Sequence, residues 1–149
     1  PIGELNILKR WDYPDKENAE MEMLKAFIPN LKCRRWDFVF AGKNLLFDFC
    51  ILDKRMKKYD LGEFDIRCLY DRAVIDIKPI LVLMNKGSFI GYDKVLKKTN
   101  PLTNEKIPQL YREGKYAEII QYIKDEAQDF IKVYQVFKKE MPLFRERLC

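Results

Sequence analysis

Histidine is absent from this chain of 149 residues. Its absence removes every Ser-His or Cys-His nucleophile pair and every His-containing metal site. Cysteine is scarce: Cys33, Cys50, Cys68 and Cys149 are scattered without a C-x-x-C pair, which excludes a zinc ribbon. Cys50 sits in an apolar helical pattern and reads as a packed thiol rather than half of a disulfide. Long apolar runs are also missing. The longest covers residues 80–84, against the roughly 20 residues that a membrane span needs. With no signal peptide legible in the opening residues, the expectation is a cytoplasmic protein with no membrane partner. Proline and glycine are thinly spread, without repeats or low-complexity linkers. Any chemistry must therefore rest on carboxylates, tyrosine or lysine.

What is present describes a folded protein. Apolar residues make up 48% and charged residues 34%, so the whole of 1–149 reads as a single domain with a real core. The net charge of +5 permits a polyanionic partner without demanding one.

Residues 4–11 read as a strand stopped by Tyr13-Pro14. Asp15 offers an N-cap, and Ala19, Met23, Leu24, Phe27 and Ile28 recur at helical spacing until Pro29-Asn30. Residues 37–41 are β-prone and closed by Gly42. Asn44 then caps a helix to about Tyr59, with the stripe Leu45, Phe49, Leu52 and Met56. Residues 73–77 suggest another strand, with a helix starting just after Asp76 and Pro79 nearby. Shorter helices are expected over 89–98 and 107–111, the latter broken at Gly114, and a long one over 116–140. Strands alternating with helices indicate an α/β domain with a mixed sheet.

Two carboxylates interrupt apolar stripes. On the last helix, Ile119, Ile123, Phe130, Tyr134 and Phe137 share an arc in which Glu126 is central, with Tyr122 on its flank and Asp125 and Asp129 turned toward solvent. A buried carboxylate needs a cation, a hydrogen bond or an altered pKa. Glu126 either pairs with a Lys or Arg, lies on a half-buried stripe, or serves a site. Asp48 sits on the shoulder of the Leu45 stripe and also in a first turn, where the helix dipole favours an anion. Two such carboxylates without histidine suit a hard, oxygen-liganded cation.

Gly42-Lys43-Asn44-Leu45-Leu46-Phe47-Asp48 resembles the second motif of the Asp-Glu-Asp-Asp superfamily of 3′–5′ exonucleases, where Asn and Asp open a helix after a strand. Tyr70-Asp-Arg-Ala-Val-Ile-Asp-Ile-Lys-Pro-Ile-Leu and Gly91-Tyr-Asp-Lys-Val-Leu resemble the middle of these domains. Tyr122 and Glu126, within Glu118-Ile-Ile-Gln-Tyr-Ile-Lys-Asp-Glu-Ala, resemble the third motif of the tyrosine subclass, Tyr, three residues, Asp. Glu replaces Asp there, moving the carboxylate by more than about 1 Å. The family's first motif, Asp-x-Glu on the central strand, has no counterpart on a strand here. Asp15-Lys16-Glu17 has the letters but stands at a helix start.

The resemblance, over about residues 35–138, implies a ribonuclease-H-like mixed sheet flanked by helices, with the N-terminal strands missing. It implies hydrolysis of nucleic-acid phosphodiesters by a two-metal mechanism. Asp48 and Glu126 would hold Mg²⁺ or Mn²⁺, and Tyr122 would orient the water. Asn44, Lys43, Lys97 and Lys98 would meet single-stranded DNA or RNA. The clusters Arg34-Arg35, Lys54-Arg55 with Lys57-Lys58, and Lys94 are further backbone contacts or ordinary surface. Asp76 is another acidic candidate, or a helix cap. A second copy of the chain or an N-terminal fragment would fill the missing strands. The alternative is an inactive exonuclease-like module that binds nucleic acid or a protein partner.

Overall fold

The computed structural model describes residues 5–31, 39–64, 74–88 and 99–147. The chain is mixed α/β and mostly helical, with a small two-stranded parallel sheet. It divides into two compact units, Pro1–Pro79 and Ile80–Cys149.

In the first unit, Asp15 does not cap α1 (Ala19–Leu31) as expected but holds the turn before it, accepting the N–H groups of Glu17 and Asn18 at 3.0 and 3.3 Å. The Asn18 carbonyl takes the first helical bond, from Glu22. The helix does not stop at Pro29 but carries it in its last turn, which delivers Leu31 to the core at 3% exposure. That burial offsets the one backbone bond that proline lacks. β1 (Phe40–Gly42) leads into α2 (Leu45–Lys58), and β2 (Val74–Asp76) returns parallel to β1, pairing Phe40 with Val74 and Gly42 with Asp76. This is a βαβ unit, whose parallel strands need a crossover helix.

The expected α2 stripe faces inward. Phe49 and Met56 are buried with Leu24, Leu31 and Phe64, and Leu45 and Leu52 pack against them. Phe49 stacks on Phe64 at 5.1 Å and meets Phe40 edge-on at 5.2 Å. Residues 5–9, by contrast, form no strand. Arg10–Asp12 make a 3-10 turn, tied by the Arg10 guanidinium to the Lys16 carbonyl at 2.9 Å. A lone extended segment gains no ladder, and among the described residues the sheet holds β1 and β2 only.

α3 (Ile77–Met84) starts directly after Asp76, as the sequence suggests, and buries Ile77 and Leu81 completely. In the second unit, a 3-10 turn at Asn104–Lys106 runs into α4 (Ile107–Arg112) and, past the left-handed Gly114, into α5 (Tyr116–Glu146). α5 extends beyond the expected 140 and carries Pro142 in its last turns. Among the described residues no helix is long and apolar enough to cross a membrane. The expected helix over 89–98 and the motif segments at 70–73 and 91–96 lie outside the described residues, as do Arg34, Arg35, Lys94, Lys97 and Lys98.

Candidate metal and nucleic-acid site

The C-terminal ends of parallel strands are where open α/β sheets place ligand-binding groups. Here that edge carries Gly42, Asn44, Asp48, Asp76 and Lys78. Asn44 stands at the N-cap of α2 in the left-handed conformation, φ 65° and ψ 43°, and its side chain makes no capping bond. Asp76 caps in its place: its carboxylate accepts the N–H of Asn44 at 2.8 Å, of Leu45 at 2.9 Å and of Lys78 at 2.9 Å. The Lys78 ammonium donates to Asn44 Oδ1 at 2.8 Å. Asp76 therefore is a helix cap, and caps two helices.

Asp48 projects from the first turn of α2 and is open to solvent on one side. On the other it lines a groove of about 440 Å³ between α1 and α2, whose walls include Leu24, Phe27, Ile51 and Leu52. Burial against that groove, and then the negative charge of Asp76, raise its carboxyl above the ordinary 3.8. Among the described residues no cation pairs with Asp48. Its neighbours Leu46 and Phe47 are exposed at 55% and 58%, so the surface beside the carboxylate is apolar.

The basic cluster on α2 is largely spent on ion pairs. Arg55 makes a two-pronged pair with Glu20, which also accepts the Tyr59 hydroxyl at 2.7 Å. The Arg55 guanidinium bonds, acting against some burial, hold the Glu20 carboxyl below its usual value. Lys57 pairs with Asp53 at 2.9 Å and Glu63 at 3.4 Å, and Lys58 lies over the Tyr59 ring at 4.7 Å.

On α5 the buried face differs from the one the apolar pattern suggests. Ile119, Tyr122, Asp125, Asp129 and Val133 are the buried positions, while Glu126, Ile123, Phe130, Tyr134 and Phe137 are half-buried. The helix is thus rotated by about a quarter turn from the expected phase. The cause is polar pairing. Asp129 accepts the Thr99 N–H at 2.8 Å, the Thr99 hydroxyl at 2.6 Å and the Lys132 ammonium at 2.9 Å. Asp125 accepts from Asn100 and Gln121, each at 2.8 Å. The Tyr122 hydroxyl donates to Asn104 Oδ1 at 2.6 Å. Residues 99–104 are thereby strapped onto α5 by three successive inward side chains. Burial pushes the Asp129 carboxyl up, but the Thr99 bonds and then Lys132 outweigh it and bring it down to about 2.

Asp48 belongs to the first unit, and Tyr122 and Glu126 to the second. Asp76, Asp125 and Asp129 are the polar side chains that a purely apolar pattern underrates. An aspartate directly before a helix start was the signal for Asp76. Asp125 and Asp129 gave none, since their donors lie 25 and 30 residues away. Among the described residues no group of three or more Asp, Glu, Cys or His side chains is placed to hold a metal ion. Comparison of the chain with protein-family models, curated proteins and solved structures finds no match.

Proposed function

We propose that the chain is a ribonuclease-H-like 3′–5′ exonuclease domain of the tyrosine subclass, acting on single-stranded DNA or RNA. The observation that supports it most is local. The Asn44–Asp48 segment, which resembles the second exonuclease motif, opens a helix at the C-terminal end of a parallel strand, and among the described residues no cation pairs with Asp48. Its donor set is oxygen only, which suits Mg²⁺ or Mn²⁺. Bound there, such ions would supply an activated water and stabilisation of the attacking and leaving oxygens. Asp48 and Glu126 would hold them, Tyr122 would orient the water, and Lys43, Asn44, Lys97 and Lys98 would hold the strand. Two carboxylates hold two divalent ions poorly, so cleavage by this chain alone is weak and rises when a segment bearing Asp-x-Glu is added.

The test is digestion of 5′-labelled single-stranded DNA and RNA with Mn²⁺ or Mg²⁺, with and without that segment. Stepwise 3′–5′ shortening that Asp48→Ala abolishes supports the reading. Unchanged cleavage in Asp48→Ala, or none under any condition, overturns it.

A second reading, an inactive module that binds nucleic acid or a protein, is favoured by the burial of Tyr122 at 6% exposure and its bond to Asn104. It predicts single-strand binding that weakens steeply with salt and ignores divalent ions.

A further inference from the structure

Asp76 ends β2, and the sheet register sets it beside Gly42 of β1. Its Oδ1 accepts the N–H groups of Asn44 and Lys78, and its Oδ2 that of Leu45. The donors at 44 and 45 converge because Asn44 is left-handed, which turns successive N–H groups into one anion-holding concavity. Lys78 then fixes the Asn44 side chain from the same segment. On the inner side Leu45 is seated against Gly42, where an added Cβ would meet Leu45 Cδ2 at 2.5 Å. The turn that bears Asp48 is therefore held from both sides. Without such partners, the first turn of a helix leaves its N–H groups orphaned.

We propose that Asp76 is the positioning residue for Asp48: it clamps the backbone at Asn44 and Leu45 and so fixes the direction in which the Asp48 carboxylate meets a divalent cation. This rests on reading Asp48 as a metal ligand. Asp76 itself is the anchor, its oxygens already engaged by three backbone N–H groups.

The experiment is a Mn²⁺ titration of the full ¹⁵N-labelled chain, comparing Asp76→Ala, Asp76→Asn, Asp48→Ala and a control, Asp15→Ala. Asp15 holds the turn before α1 in the same unit, and its side-chain bonds go to Glu17 and Asn18. Asp76→Ala moves the Asn44 and Leu45 amide resonances and weakens Mn²⁺ binding about tenfold, the lower end expected for an outer-shell partner. Asp76→Asn keeps one acceptor oxygen and falls between; Asp15→Ala leaves Mn²⁺ affinity unchanged. Asp76→Ala with unmoved amides and unchanged affinity overturns the proposal, as does an equal loss in Asp15→Ala. If the wild-type chain binds no Mn²⁺, the metal reading fails. The positioning proposal then falls with it. Mn²⁺ binding in the wild type, with moved amides but unchanged affinity in Asp76→Ala, leaves Asp76 a helix cap alone and overturns the proposal while sparing the metal reading. Should Asp76→Ala not fold, Asp76→Asn carries the same two readouts.

Discussion

Asp129 shows how one side chain can reverse what its neighbours suggest. A carboxylate at 2% exposure would ordinarily be neutral, yet here three contacts, two with Thr99 and one with the charged Lys132, keep it ionised. Its carboxyl lies at about 2 in the folded chain, against an ordinary 3.8. A depressed acid stabilises the fold above its unfolded value and loses that contribution as pH falls through the folded one. Asp129 therefore supplies about 2 kcal/mol that is complete above roughly pH 5 and vanishes between about pH 4 and 2. Urea unfolding at pH 7 and pH 3 should show this pH-dependent part shrink in Asp129→Asn. Tyr122→Phe removes the hydroxyl that donates to the exposed Asn104, and the loss of that bond should cost about 0.5–1.5 kcal/mol in the same assay. Were activity established, a loss far beyond that stability change would mark Tyr122 as part of the chemistry. Asp76 was legible as a cap because it directly precedes a helix. Its grip on Asn44, 32 residues earlier, was not, because sequence spacing carries no record of which strands pair.

Helices proved easier to read than strands, and α2 shows why. Its stripe of Leu45, Phe49, Leu52 and Met56 repeats one period within a single segment, so its buried face could be assigned without knowing any neighbour. Phe49→Ala empties the space between Phe40 and Phe64 and should cost about 3–5 kcal/mol, measured by urea or thermal unfolding. A cost under about 1 kcal/mol would mean that the aromatic cluster does not hold the first unit together. Residues 5–9 misled because a strand-like segment becomes a strand only when a second strand supplies the ladder. α5 misled in phase for a related reason: hydropathy ranks aspartate as a surface residue, and the donors that bury Asp125 and Asp129 come from residues 99–100.

At the scale of the molecule, the net charge of +5 is less available than it looks. Arg55 and Lys57 are committed to Glu20, Asp53 and Glu63, so neutralising them should lower stability more than nucleic-acid affinity. Lys57→Ala with an unchanged salt slope for single-strand binding is the expected result, and a slope reduced by about one would return Lys57 to the substrate track. The larger question is whether Asp48 and Glu126, on different units, serve one metal centre. Paramagnetic broadening by Mn²⁺ in the ¹⁵N-labelled chain answers it most directly. The proposed exonuclease site predicts that amides around Asp48 and around Tyr122–Glu126 broaden together, with one midpoint, and that Asp48→Ala abolishes both effects. Broadening confined to one of the two regions, or surviving intact in Asp48→Ala, would contradict it.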